Sequence, residues 1–144
     1  MGAWGHKTFE DDSALDLIDE WIQEARPLEH LEQAISSALA AEYLDFDQGQ
    51  EVSVASAIVE FALSTDRGPE YDELAEDQDG LDTWLETLSK ERLRALVPSV
   101  VSALEKLVSP GSELAELWAE NEVYGPQWVA HAHARQNRLR ALTF

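Results

Sequence analysis

Glu51-Val52-Ser53-Val54-Ala55-Ser56-Ala57-Ile58-Val59-Glu60-Phe61-Ala62-Leu63-Ser64 reads as a helix that is apolar on almost every side. Ser53, Ser56, Glu60 and Ser64 supply its one polar stripe, spaced i, i+3, i+7 and i+11. A helix with so thin a polar face belongs inside a fold, not on its surface. The spacing therefore predicts a central helix over 51–64, wrapped by others.

The flanking sequence supplies the wrapping. Ala14, Leu15, Leu17, Ile18, Trp21, Ile22 and Ala25 make the apolar stripe of a helix over 13–26. Asp11 or Asp12 can cap it, and Asp16 follows Ser13 at capping-box spacing. Pro27 ends that helix or starts the next, over 28–41, where Leu28, Leu31, Ala34, Ile35, Ala38 and Leu39 repeat the pattern. Residues 43–47 suit a short extended piece, and Gly49 suits a turn after it. A short helix is expected over 81–88 and a long one over 91–108, kinked or broken at Pro98. Ser112 can cap a helix over 113–120. A last helix over 127–142 ends in Arg135, Arg138 and Arg140, which suit the negative end of the helix dipole. Strand signals are nearly absent. The expected fold is all-α, a single domain over 1–144 built as an irregular bundle of about six helices with little or no sheet.

Charge is the strongest bulk property. The chain of 144 residues carries 29 acids against 10 Lys and Arg, a net of -19. Residues 1–91 hold 24 of the acids and 4 of the bases, a net of -20; the rest is near neutral at +1. Phosphate backbones and anionic membranes would be repelled, so neither nucleic acid nor membrane is expected as a direct partner. A basic protein would be steered in. The plain alternative is that the charge keeps the protein soluble. There are no cysteines, hence no disulfide and no thiolate chemistry. No secretory signal or membrane span is recognisable, and a cytoplasmic location is expected.

Two clusters stand out. Trp4, His6, Glu10, Asp11 and Asp12 gather carboxylates and an imidazole near the start, where they could hold a metal or move protons. The same acids would equally serve a helix N-terminus. Residues 66–82 read as an acidic loop, with 8 Asp or Glu in 17 positions. Its Glu70, Asp72, Glu73, Glu76, Asp77 and Asp79, with Tyr71 and Leu74 among them, form the candidate partner-binding surface. No established metal motif is met. His6, His30, His131 and His133 lack ligand spacing, and the runs from Asp45 and from Asp77 fail the calcium-loop register. No nucleophile elbow, phosphate loop or dinucleotide fingerprint occurs, so no cofactor is expected. Of the five tryptophans most lie on apolar stripes, and Trp128, beside Tyr124 and Gly125-Pro126, is the one expected to be exposed.

Three segments together resemble the bacterial domain-of-unknown-function family 4259. They are Met1-Gly2-Ala3-Trp4-Gly5 through Phe9, Asp11, Asp12 and Ala14; Asp47 and Gly49 leading into the Ala- and Val-rich helix; and Ser112-Glu113-Leu114 with Glu116-Leu117-Trp118. Relatives often carry a second glycine soon after Trp-Gly, where this chain has His6-Lys7-Thr8. The resemblance spans essentially the whole chain. It implies a bacterial, mostly helical, cytoplasmic protein and no particular activity.

The sequence thus leads to a non-catalytic acidic module that docks and regulates or inhibits a basic protein, in the manner of an immunity protein or a nucleic-acid mimic. The alternatives are a metal-dependent or acid–base enzyme built on the N-terminal cluster, and an acidic housekeeping protein.

Overall fold

The computed structural model describes residues 5–142. Among them the chain forms eight helices and no strand: α1 Asp12–Gln23, α2 Pro27–Ala40, α3 Phe46–Leu63, α4 Gly68–Asp77, α5 Leu81–Thr87, α6 Lys90–Leu107, α7 Glu113–Ala119 and α8 Gly125–Ala141. Trp4 lies outside the described residues.

Helix α3 is the centre. From Val54 to Ala62 every residue is buried, and α1, α2, α5, α6, α7 and α8 all pack on it. It starts five residues earlier than its apolar pattern, because Asp45 and Gln48 form a reciprocal capping box at its head. Gly49 is consequently not a turn. It lies inside the helix at a close approach, where a Cβ would stand 2.8 Å from a Leu114 methyl. One apolar core draws on all eight helices and on Phe9 of the leading segment. Trp128, expected to be exposed, is 6% exposed; it stacks on Trp118 with ring centroids 5.9 Å apart.

The described residues hold eight helices where about six were expected, and α4 is the one that none of the expected ranges covers. Gly68, Pro69 and the carboxylates read as loop signals, but proline is well suited to the first turn of a helix, where no N–H is needed. Tyr71 and Leu74, at i and i+3, turn together into the core. Helix α6 runs through Pro98 without a break. Helix α1 is capped by Asp11, whose carboxylate accepts from the Ser13 amide, and the Ser13–Asp16 capping box does not form. The expected extended piece shrinks to one parallel bridge between Leu44 and Ser112. The Leu44 amide donates to the Gly111 carbonyl at 2.8 Å, and the Glu113 amide donates to the Leu44 carbonyl at 2.9 Å. No helix among the described residues is long and apolar enough to cross a membrane.

Among the described glycines the closest approach is at the head of α8. A Cβ on Gly125 would lie 2.3 Å from the Trp118 carbonyl oxygen, with no flexible side chain to yield. Gly125→Ala should therefore cost about 1–3 kcal/mol in urea unfolding, the range for overpacking. Gly111→Ala, whose Cβ would meet only ordinary contacts of 3.6 Å, serves as the control and should stay within about 0.5 kcal/mol.

Candidate functional site

Glu60 is the charge that α3 carries into the interior; it is 8% exposed. A carboxylate there is tolerable only when paired and hydrogen-bonded. Arg135 of α8, 2% exposed, supplies the pairing. Its Nε donates to Glu60 Oε1 at 2.9 Å, its Nη1 to Thr8 Oγ at 2.8 Å, and its Nη2 to Glu70 Oε2 at 2.7 Å. Arg138, one turn further along α8, donates to both Glu60 oxygens. His131, one turn before Arg135, places Nε2 3.1 Å from Glu70 Oε2. Ser53 of α3 donates to the Thr8 hydroxyl at 3.2 Å. Two guanidiniums and two carboxylates thus cancel in a small volume where α3, α4, α8 and the leading segment meet. The second Glu70 oxygen, Oε1, is buried with no hydrogen-bond donor among the described residues.

Burial pushes the Glu70 carboxyl up, but the Arg135 guanidinium, the His131 contact and the Arg135 hydrogen bond push it further down, to about 2. Elsewhere acids crowd one another. Glu51 of α3 is raised, first by burial and then by Asp47 and Asp45.

The N-terminal cluster is divided by the fold. Asp11 caps α1 and also accepts from the Gln50 side chain at 3.0 Å. Asp12 is exposed in the first turn of α1. The Glu10 carboxylate turns back to the Lys7 amide at 3.3 Å. His6 faces another way, stacked on Tyr124 at 6.2 Å and edge-on to His131 at 6.0 Å. Among the described residues no group of three or more His, Cys, Asp or Glu is arranged to hold a metal ion.

The acidic segment is divided too. Glu70 enters the buried network. Tyr71 packs edge-on to Phe61 at 5.3 Å, and its hydroxyl bonds Asp82. Asp72, Glu73, Glu76 and Asp77 remain on the exposed side of α4, and Asp79 sits in the turn after it. Gln78 ties that turn to α1, donating to Asp19 at 2.5 Å. A groove of about 220 Å³ opens between α4 and the leading segment. Phe9, Leu15 and Leu74 contribute its apolar surface; Glu10, Glu70, Glu73, Glu76 and Asp77 its carboxylates; Lys7 is the one base among the described residues that line it.

Glu60, His131, Arg135 and Arg138 were not predicted as a site, although two signals were present. A lone carboxylate on an otherwise apolar helix requires a buried partner. Residues 131, 135 and 138 share one face of a helix by spacing.

Fold and site together define an acidic, all-helical domain with a neutralised ion network beneath a carboxylate-rimmed groove. The chain belongs to the family described as Domain of unknown function (DUF4259), whose model matches residues 2–131. The match includes Glu60, Glu70 and His131 and stops before Arg135 and Arg138. No curated protein and no solved structure matches the chain.

The depressed Glu70 carboxyl sets an acid response. Its ordinary value is 4.5, so its stabilising contribution is complete above that pH and fades as pH falls toward 2. Glu70→Gln should lower stability at neutral pH by on the order of 3 kcal/mol and flatten the loss between those two pH values. Urea midpoints across that range measure it; parallel curves for the two proteins would contradict it.

Proposed function

We propose that this chain is a non-catalytic acidic binding module of the bacterial cytoplasm that docks a basic protein and regulates or inhibits it. The observation that carries this is the groove between α4 and the leading segment. It joins carboxylates from both acidic clusters, Glu10 on one side and Glu73, Glu76 and Asp77 on the other, over Phe9, Leu15 and Leu74. An arginine or lysine side chain has the matching form, an apolar stem under a cationic head. The stem would lie along the apolar surface and the head among the carboxylates. Asp12, Asp16, Asp19 and Glu20 of α1, and Asp72 and Asp79, are exposed as well and add to the negative field. Such a field speeds encounter with a basic surface and disfavours acidic ones.

The test is binding of an arginine-rich peptide to the full chain at low and high salt. The variant Glu73→Gln/Glu76→Gln/Asp77→Asn should bind about tenfold more weakly and lose much of its salt dependence. Glu42→Gln/Glu120→Gln/Glu122→Gln removes the same charge from exposed positions elsewhere and should bind nearly as the parent does. Equal losses in the two variants would reduce the interaction to bulk charge and remove the groove from the mechanism.

A further inference from the structure

We propose that the outer face of α8 pairs two copies of this chain, antiparallel and two-fold, with the connection before α8 of each copy seated in a groove at the end of α8 of the other. None of the residues of the acidic groove between α4 and the leading segment takes part. Among the eight helices of the described residues, α8 is the one without an Asp or Glu. The other seven each carry carboxylates, and in a chain of net -19 these oppose close contact between copies. Along α8, Pro126, Ala130, His133, Asn137 and Arg140 are exposed. They follow one another in steps of four and three residues, the spacing by which two helices pack along their length.

The two ends of α8 are complementary. At the C-terminal end, Val97, Pro98 and Val101 of α6 and Leu139 of α8 give apolar surface to a groove of about 550 Å³. Arg94 and Arg140 give it positive charge, and no carboxylate is among the described residues that line it. Before the N-terminal end, Val123 is 66% exposed, with Glu120 and Glu122 exposed beside it. Val123 is held in that position. Its amide and that of Tyr124 donate to Asn121 Oδ1 at 3.1 and 2.8 Å, and the Gly125 amide donates to the Asn121 carbonyl at 2.9 Å. An apolar side chain flanked by two carboxylates matches an apolar groove that carries two guanidiniums. A helix of 17 residues is about 25 Å long, so Val123 cannot reach the groove of its own copy. An antiparallel neighbour brings its Val123 to the groove and its groove to Val123. One two-fold contact then satisfies both ends and closes at two copies.

Sedimentation equilibrium of the full chain tests the pair and needs no other protein. With rising concentration the mass should approach twice that of one chain and go no higher. Two acidic copies repel at long range, so salt should strengthen the pair: its dissociation constant should fall about tenfold between about 0.05 and 0.5 M NaCl. Docking of a basic peptide should weaken over the same range, which tells the two interactions apart. Val123→Asp, at an exposed position, should weaken pairing about tenfold or more. Arg140→Glu and Glu120→Arg/Glu122→Arg should each fail to pair alone and should pair when mixed, because mixing restores opposite charges at both contacts. A parent that stays monomeric at every salt concentration, a mass that climbs past two copies, or a mixture that stays monomeric would overturn the pair.

Discussion

A carboxylate inside α3 cannot stay charged without a counterion, and the arrangement around Glu60 answers to that constraint. Water is excluded from this helix by six neighbours, so the counterion must come from the protein. Arg135 brings it from α8, near the far end of the chain, and its planar fork has donors left over. Those donors fix Glu70 on α4 and Thr8 on the leading segment. One guanidinium thus sets the relative position of four pieces of the chain. An ion cluster of this kind adds little net stability compared with apolar packing. What it ties down is arrangement, since Arg135 of α8 reaches Glu60 of α3 and Glu70 of α4 at once.

The same cluster separates the roles of the acidic residues in α4. Glu70 is consumed internally, while Glu73, Glu76 and Asp77 point outward three, six and seven residues later. Glu73 and Asp77 lie on nearly the same side of α4 as Glu70, so it is the place of Glu70 in the first turn, against His131 and Arg135 of α8, that draws it inward. In an extended loop the acids would share one solvated environment. The helix therefore turns a diffuse negative tract into a defined edge above an apolar floor.

Much of the bundle is legible in the sequence. Apolar spacing locates α1, α2, α3, α6 and α8 to within a few residues, because each buries one continuous stripe and α3 buries nearly its whole surface. Ser112 is legible as a cap, and Asp11 as one of two candidates. The legibility fails where one residue type serves opposite ends. Pro69 opens α4 although proline commonly closes helices, and Gly49 makes room for Leu114 although glycine commonly makes turns. The buried network is hidden for a different reason. Its members lie at 8, 53, 60, 70, 131, 135 and 138, and only folding brings them together. Arg135 looked like a favourable charge at a helix end, and no local pattern separates that role from a buried one.

The Leu44–Ser112 bridge also bears on how the chain can change over generations. Two backbone hydrogen bonds join the connection before α3 to the connection before α7, and Ser112 is fully buried. An inserted or deleted residue at either place would shift the register of that bridge and pull Leu44 from the core. The turn between α4 and α5 has no backbone pairing to a second connection: Asp79 and Gly80 are exposed, although Gln78 is tied to Asp19 of α1 and the left-handed φ of 77° at Gly80 favours a glycine there. Length variation among descendants of this chain should therefore collect at that turn and spare the two connections that the bridge ties together.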